Sequence, residues 1–224
     1  FCKKNPEIAM ISRPFVRFKD DINKPIGVSR MFPKETIVNT NVSSKFIFRI
    51  CGFVGGLVVN KNWASKFATN KYDGTLYYQI YLGAHAYCTD GIGYLANPSV
   101  AGRAGNPPLF GDSEKDGGSH VSGSYSAKAR AKMWEGVLDI GKDVGAFYNV
   151  EIENELRQEL MIRQSFHVFE MNVGVPKTTL LELKAELKKL NLYNHWIPKS
   201  LYLLNLIFGK YAYYFYYLTR KIVQ

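Results

Sequence analysis

Apolar residues gather along this chain in two ways, as unbroken runs and as spaced stripes. The densest run is residues 201–218, LYLLNLIFGKYAYYFYYL, bracketed by Lys199, Arg220 and Lys221. As one helix it reaches roughly 27 Å at about 1.5 Å per residue. A hydrocarbon core is roughly 30 Å thick. Three placements suit such a run: a transmembrane helix, a helix lying on a membrane or large partner, and a buried strand. Trp196, Tyr202, Tyr216 and Tyr217 sit where interfacial aromatics belong, and Pro198 suits a first turn. Asn205 and Lys210 oppose a lone helix in lipid, where a central charge costs about 2.5–3.5 kcal/mol.

A second apolar run covers residues 46–68, FIFRICGFVGGLVVNKNWASKFA, whose clean part at 50–59 is too short to span a bilayer. Gly52 and Gly56 form a G-x-x-x-G step, which permits close helix packing. Residues 74–96 continue the pattern. Helical spacing puts Leu76, Ile80, Gly83, Ala84 and Tyr87 on one side, with Asp90 and Gly91 marking the end. The two runs predict an apolar helical hairpin over 46–96, buried or membrane-embedded, turning near residues 70–74.

Stripes replace runs after residue 124. Residues 125–172 read as helical, with Gly136, Gly141 and Gly145 predicting a break near 141–149. Ile152, Leu156, Leu160, Phe166 and Phe169 give an apolar stripe. Residues 177–193 predict an amphipathic helix through Leu180, Leu183, Leu187 and Leu190, opened by a Thr179/Glu182 capping box and closed over Lys188 and Lys189. Together, residues 125–195 form a small helical soluble body. The Gly- and Pro-rich residues 97–124 are a loop.

Residues 1–45 predict an extended arm. Pro6, Pro14, Pro25 and Pro33 break any helix, and Arg13, Phe15, Arg17 and Phe18 mix cations with rings as partner anchors. Charge sharpens this. The 224 residues carry +10 at pH 7, of which residues 1–71 hold +9, residues 72–200 hold −2 and residues 201–224 hold +3. Such asymmetry points to an anionic partner, either acidic lipid or nucleic acid. No RNA-binding signature accompanies the cations. Aromatics make up 14% of the chain, which favours interfaces and membrane boundaries. Cys2, Cys51 and Cys88 make no disulfide framework and favour a reducing compartment. The start at Phe1 fits removal of a presequence or a fragment.

Candidate chemistry is sparse. Asp112, Glu114, Asp116 and Gly117 imitate the start of a calcium loop, but Gly123 stands where a bidentate Glu is needed. His85 and Cys88 are at i, i+3, without a second ligand pair. Phosphate-loop and nucleophile-elbow patterns are absent. The expectation is therefore no catalytic, cofactor-binding or metal residues.

The fold class expected is mainly α, with membrane-associated helices, the N-terminal arm and the helical body. The role expected is a non-catalytic accessory subunit of a large mitochondrial inner-membrane complex, such as a respiratory-chain electron-transport complex or ATP synthase. Its partners would be other subunits and membrane lipid. Contact residues would be Leu201, Tyr202, Leu204, Phe208, Tyr211, Phe215, Arg220 and Lys221. The alternatives are an RNA-contacting protein of a mitochondrial ribosome, with nucleic acid as partner, and a membrane-bound enzyme or carrier.

Overall fold

The computed structural model describes residues 1–104 and 126–223, the latter without the side chains of residues 217 and 219–223. The chain divides into two compact units. The first takes described residues 1–104 and 136–156, and the second 126–135 and 157–223. Among the described residues seven strands form two sheets, so the fold is mixed α/β and not mainly α.

Unit 1 begins with four short strands: β1 (Met10–Ser12), β2 (Phe15–Phe18), β3 (Gly27–Ser29) and β4 (Thr36–Val38). Helix α1 (Lys45–Cys51), strand β5 (Leu57–Val59), helix α2 (Lys61–Ala64), helix α3 (Tyr78–Cys88), strand β6 (Ile92–Tyr94) and strand β7 (Val100–Arg103) follow. One sheet has the order β4-β6-β1-β5. In it β1 lies parallel to β6, with Met10 opposite Ile92, and antiparallel to β5, with Met10 opposite Val59. The other sheet has the order β3-β2-β7, with β2 antiparallel to β3 and parallel to β7.

The N-terminal region is thus woven into both sheets, which overturns the extended arm. Met10, Ile11 and Ser12 are all buried, because β1 is internal to its sheet. Pro6 precedes β1, and Pro14, Pro25 and Pro33 lie between strands, where a missing N–H breaks no ladder. Residues 46–96 also do not make a helical hairpin. They hold α1, β5, α2, α3 and β6. Helix α1 packs on α3, and Ile80, Gly83, Ala84 and Tyr87 are buried as the spacing predicts, whereas Leu76 precedes the helix, half-buried at φ +63°.

Helix α4 (Ala127–Tyr148) runs unbroken through Gly136, Gly141 and Gly145. The break expected near 141–149 falls at the far end of that range, after Tyr148, and not at the glycines themselves, which admit close neighbours instead. A Cβ at Gly145 would come 2.7 Å from the Val150 carbonyl oxygen, and one at Gly141 would come 3.1 Å from Glu153 Cα. The chain turns at Asn149, whose φ is +54°, a conformation Asn tolerates better than most residues.

Helix α5 (Glu153–Glu159) continues through a π-helical turn, Leu160–Gln164, into α6 (Ser165–Met171). The Ser165 hydroxyl donates to the Met161 carbonyl at 2.7 Å at this widening. Ile152, Leu156, Leu160, Phe166 and Phe169 are buried, as the stripe predicts.

In unit 2, α6 packs against α8 (Trp196–Phe208) and α9 (Ala212–Val223), and α7 (Lys177–Lys189) packs against α8. Leu180, Leu183 and Leu187 of α7 are buried. Its capping box does not form, because the N-cap is Pro176 and no side chain caps the helix.

The tail is two short helices rather than one long one. Gly209 stands between them at φ +51° and ψ −126°, which no α-helix accommodates. Helices of 13 and 12 residues extend only about 20 Å and 18 Å. Among the described residues no helix is long and apolar enough to cross a membrane. The fold places both polar residues that interrupt the run. Asn205 is buried and donates to the Phe169 carbonyl at 3.0 Å. Lys210 lies in the break itself, exposed, with its ammonium 5.3 Å from the Tyr211 ring centroid.

Candidate functional site: an aromatic tail face and an aromatic cavity

Helix α9 is amphipathic, which gives the tail two distinct sides. Ala212 and Tyr216, four residues apart, are buried, and the Tyr216 hydroxyl donates to the Leu201 carbonyl at 3.1 Å. Burial pushes the Tyr216 phenol pKa far upward, so it stays neutral. Tyr211, Tyr214, Phe215 and Leu218 recur at helical spacing on another side and are exposed. Leu203, Ile207 and Phe208 extend that apolar surface onto the end of α8. The Phe208 and Phe215 rings meet at 4.4 Å across the Gly209 break, which makes the surface continuous. Tyr214 is 72% and Ile207 69% exposed, values high enough that unit 2 does not use them for its own packing. No Asp or Glu occurs in residues 196–224, whereas Lys199, Lys210, Arg220 and Lys221 do.

The expected contact residues divide accordingly. Phe208, Tyr211 and Phe215 lie on the exposed face. Leu201 and Tyr202 are in the core of unit 2, and Leu204 is half-buried. Arg220 and Lys221 fall in α9, but their side chains lie outside the described residues. Ile207 and Tyr214 complete the face and were not singled out, because an unbroken apolar run does not reveal which side is covered.

The remaining expected contacts lie in unit 1. Gly52 ends α1, and Gly56 faces the Arg13 carbonyl, where a Cβ would come within 2.6 Å. Gly56 therefore packs closely onto the loop between β1 and β2, and Gly52 onto Phe48 of its own helix, so neither meets a second helix. Phe15 pairs with Phe53 at 4.1 Å. Arg13 has a buried Nε without a hydrogen bond. Arg17 and Phe18 are strand residues of β2, Arg17 exposed and Phe18 half-buried.

Unit 1 also holds a cavity of about 370 Å³ between the 3-10 turn Ser65–Phe67, helix α3 and residues 143–147 of α4. His85 is part of its lining. The Phe67 ring stacks on it at 4.2 Å, and Tyr81 meets it edge-on at 4.6 Å. His85 Nδ1 pairs with the Tyr148 hydroxyl at 3.0 Å. Burial pushes the His85 pKa down to about 4, so the ring is neutral at physiological pH. At the mouth, Asp143 Oδ2 accepts from Lys71 Nζ at 2.7 Å and from the Tyr72 hydroxyl at 2.6 Å. Burial raises the Asp143 pKa, but these two bonds outweigh it and leave the carboxyl below its ordinary value.

His85 and Cys88 have no third ligand beside them among the described residues. His85 Nδ1 is committed to Tyr148, and among the described residues no group of three His, Cys, Asp or Glu could hold a metal ion. The acidic residues 112–116 and Gly123 lie outside the described residues. No protein-family profile, curated protein or solved structure matches this chain. The class that the geometry defines is a two-unit α/β protein with an uncovered aromatic face.

Proposed function

We propose that this chain is a non-catalytic structural subunit of a multiprotein assembly. The observation that carries the reading is the exposed face of Ile207, Phe208, Tyr211, Tyr214 and Phe215. Contiguous apolar patches of this kind on a protein surface mark interaction sites. The occupant proposed is another protein subunit with an apolar centre and carboxylates at its edge. Tyrosine suits a protein partner, because each phenol presents a hydroxyl that a protein can meet at a fixed position. The carboxylates answer Lys199, Lys210, Arg220 and Lys221, which have no acidic neighbour in the tail sequence. The host proposed is a large complex of the mitochondrial inner membrane, such as a respiratory-chain complex or ATP synthase. The net charge of +10 and the scarcity of cysteine support that setting.

The test places a photo-crosslinking amino acid at Tyr214 in the native cell and resolves the products by native electrophoresis. The expected result is crosslinking to one subunit within a high-mass complex. A Tyr214→Asp, Phe215→Asp double variant releases the chain from that complex, while Phe147→Asp, on unit 1, does not. Migration as a free 25.5 kDa chain overturns the reading. So does flotation of the purified chain with anionic vesicles in place of a protein crosslink, or release from its complex by nuclease, as a ribosomal protein would show.

A further inference from the structure

The cavity around His85 lies outside the docking face and plays no part in the reading above. Its walls are aromatic: Phe67, Tyr72, Tyr81 and Phe147 line it with His85. Phe147 is 74% exposed, a large apolar ring held open beside a concave space. Small-molecule sites are concave, mostly apolar, and carry a few placed polar groups. All three features are present, and about 370 Å³ falls within the roughly 300–1,000 Å³ of such sites.

The polar groups decide the chemistry. A cationic ligand would seek the aromatic faces together with Asp143. That position is taken, because Lys71 already holds Asp143 at 2.7 Å and stands 5.7 Å from the Tyr72 ring centroid. Lys66 lines the same cavity and forms no ion pair among the described residues. Among the charged lining residues Lys71 and Asp143 pair with each other, which leaves Lys66 as the one lining charge outside an ion pair. His85, with Nδ1 bonded to Tyr148, has Nε2 left for a hydrogen bond.

We propose that this cavity binds a small planar aromatic molecule bearing an anionic group, its ring against Phe67, Tyr81 and Phe147 and its anion at Lys66. The stacked faces select for flatness, since offset or edge-on ring contacts need a second ring. Lys66 selects for the negative charge.

The experiment titrates the full chain with 2-naphthoate by calorimetry and by saturation-transfer NMR. The comparison probes are 2-naphthamide, cyclohexanecarboxylate and tetramethylammonium. The expected result is saturable 2-naphthoate binding, weaker by about fivefold in Lys66→Ala and by about tenfold in Phe147→Ala. Both side chains are exposed, so the variants are expected to fold, which circular dichroism checks. A Tyr214→Ser variant binds as the parent does, which separates this site from the tail face. Four results overturn the proposal. They are no saturable binding, equal binding of the amide or the cyclohexane acid, preference for tetramethylammonium, and loss of binding in Tyr214→Ser with none in Phe147→Ala.

Discussion

Glu155 ties the start of α1 to the start of α5 and offers a stringent test of the unit 1 structure. Its Oε2 accepts from the Ser43 hydroxyl at 2.7 Å, the Ser44 hydroxyl at 2.8 Å and the Lys45 amide at 3.3 Å. Helix α1 begins at Lys45, so a carboxylate occupies the positive end of that helix. Hydrogen bonds to a charged group contribute about 1.5–3 kcal/mol each, less than additively when they share one atom. Ser44 is fully buried, and without Glu155 its hydroxyl keeps only a 3.4 Å contact to the Glu151 carbonyl. Glu155→Ala should therefore cost about 3 kcal/mol at neutral pH. Glu155→Gln should cost about half of that, since an amide oxygen still accepts but the charge assistance is gone.

The pH dependence has a definite sign. Burial draws the Glu155 pKa upward, yet the bonds from Ser43, Ser44 and Lys45 outweigh it and leave it below its ordinary value near 4.5. A depressed folded pKa means the charge contributes fully above the unfolded value and is lost as pH falls through the folded one. The gap between the parent and Glu155→Gln should thus be full at neutral pH and shrink as pH falls below the ordinary carboxyl value of 4.5. Urea unfolding followed by circular dichroism measures it, with hydrogen exchange of the α1 amides as the local readout. A loss under about 0.5 kcal/mol for Glu155→Ala, the size of an ordinary surface change, or a gap that ignores pH, refutes the reasoning.

Two further outcomes follow from backbone geometry. Gly145→Ala gains about 1 kcal/mol of helix propensity but drives a Cβ to 2.7 Å from the Val150 oxygen. The expected net is a loss of about 1–2 kcal/mol in urea unfolding, and an unchanged or more stable variant shows that the turn is not held as described. Gly209→Ala meets nothing within 4 Å, so its cost is purely conformational, about 1–3 kcal/mol for a side chain at φ +51°. Faster hydrogen exchange at the start of α9 would show it, and parent-like exchange with unchanged stability would mean that the tail is a single straight helix.

The amino-acid sequence alone determined the elements whose cause is local. The buried side of α3, the stripe through Ile152, Leu156, Leu160, Phe166 and Phe169, and the leucine side of α7 all follow from spacing within one helix. The charge asymmetry and the aromatic tail are equally plain in the residues themselves. Tertiary structure decided the rest. Strands of three or four residues are too short to show alternation, and β1 becomes internal only by pairing with β6, some eighty positions along the chain. Whether residues 201–218 span lipid or fold back turned on the backbone at Gly209 and on a buried partner for Asn205. The cavity joins Phe67 and His85 to Asp143 and Phe147, residues that no periodicity relates. Spacing reports which side of an element is apolar, but only packing shows what covers that side and what remains open.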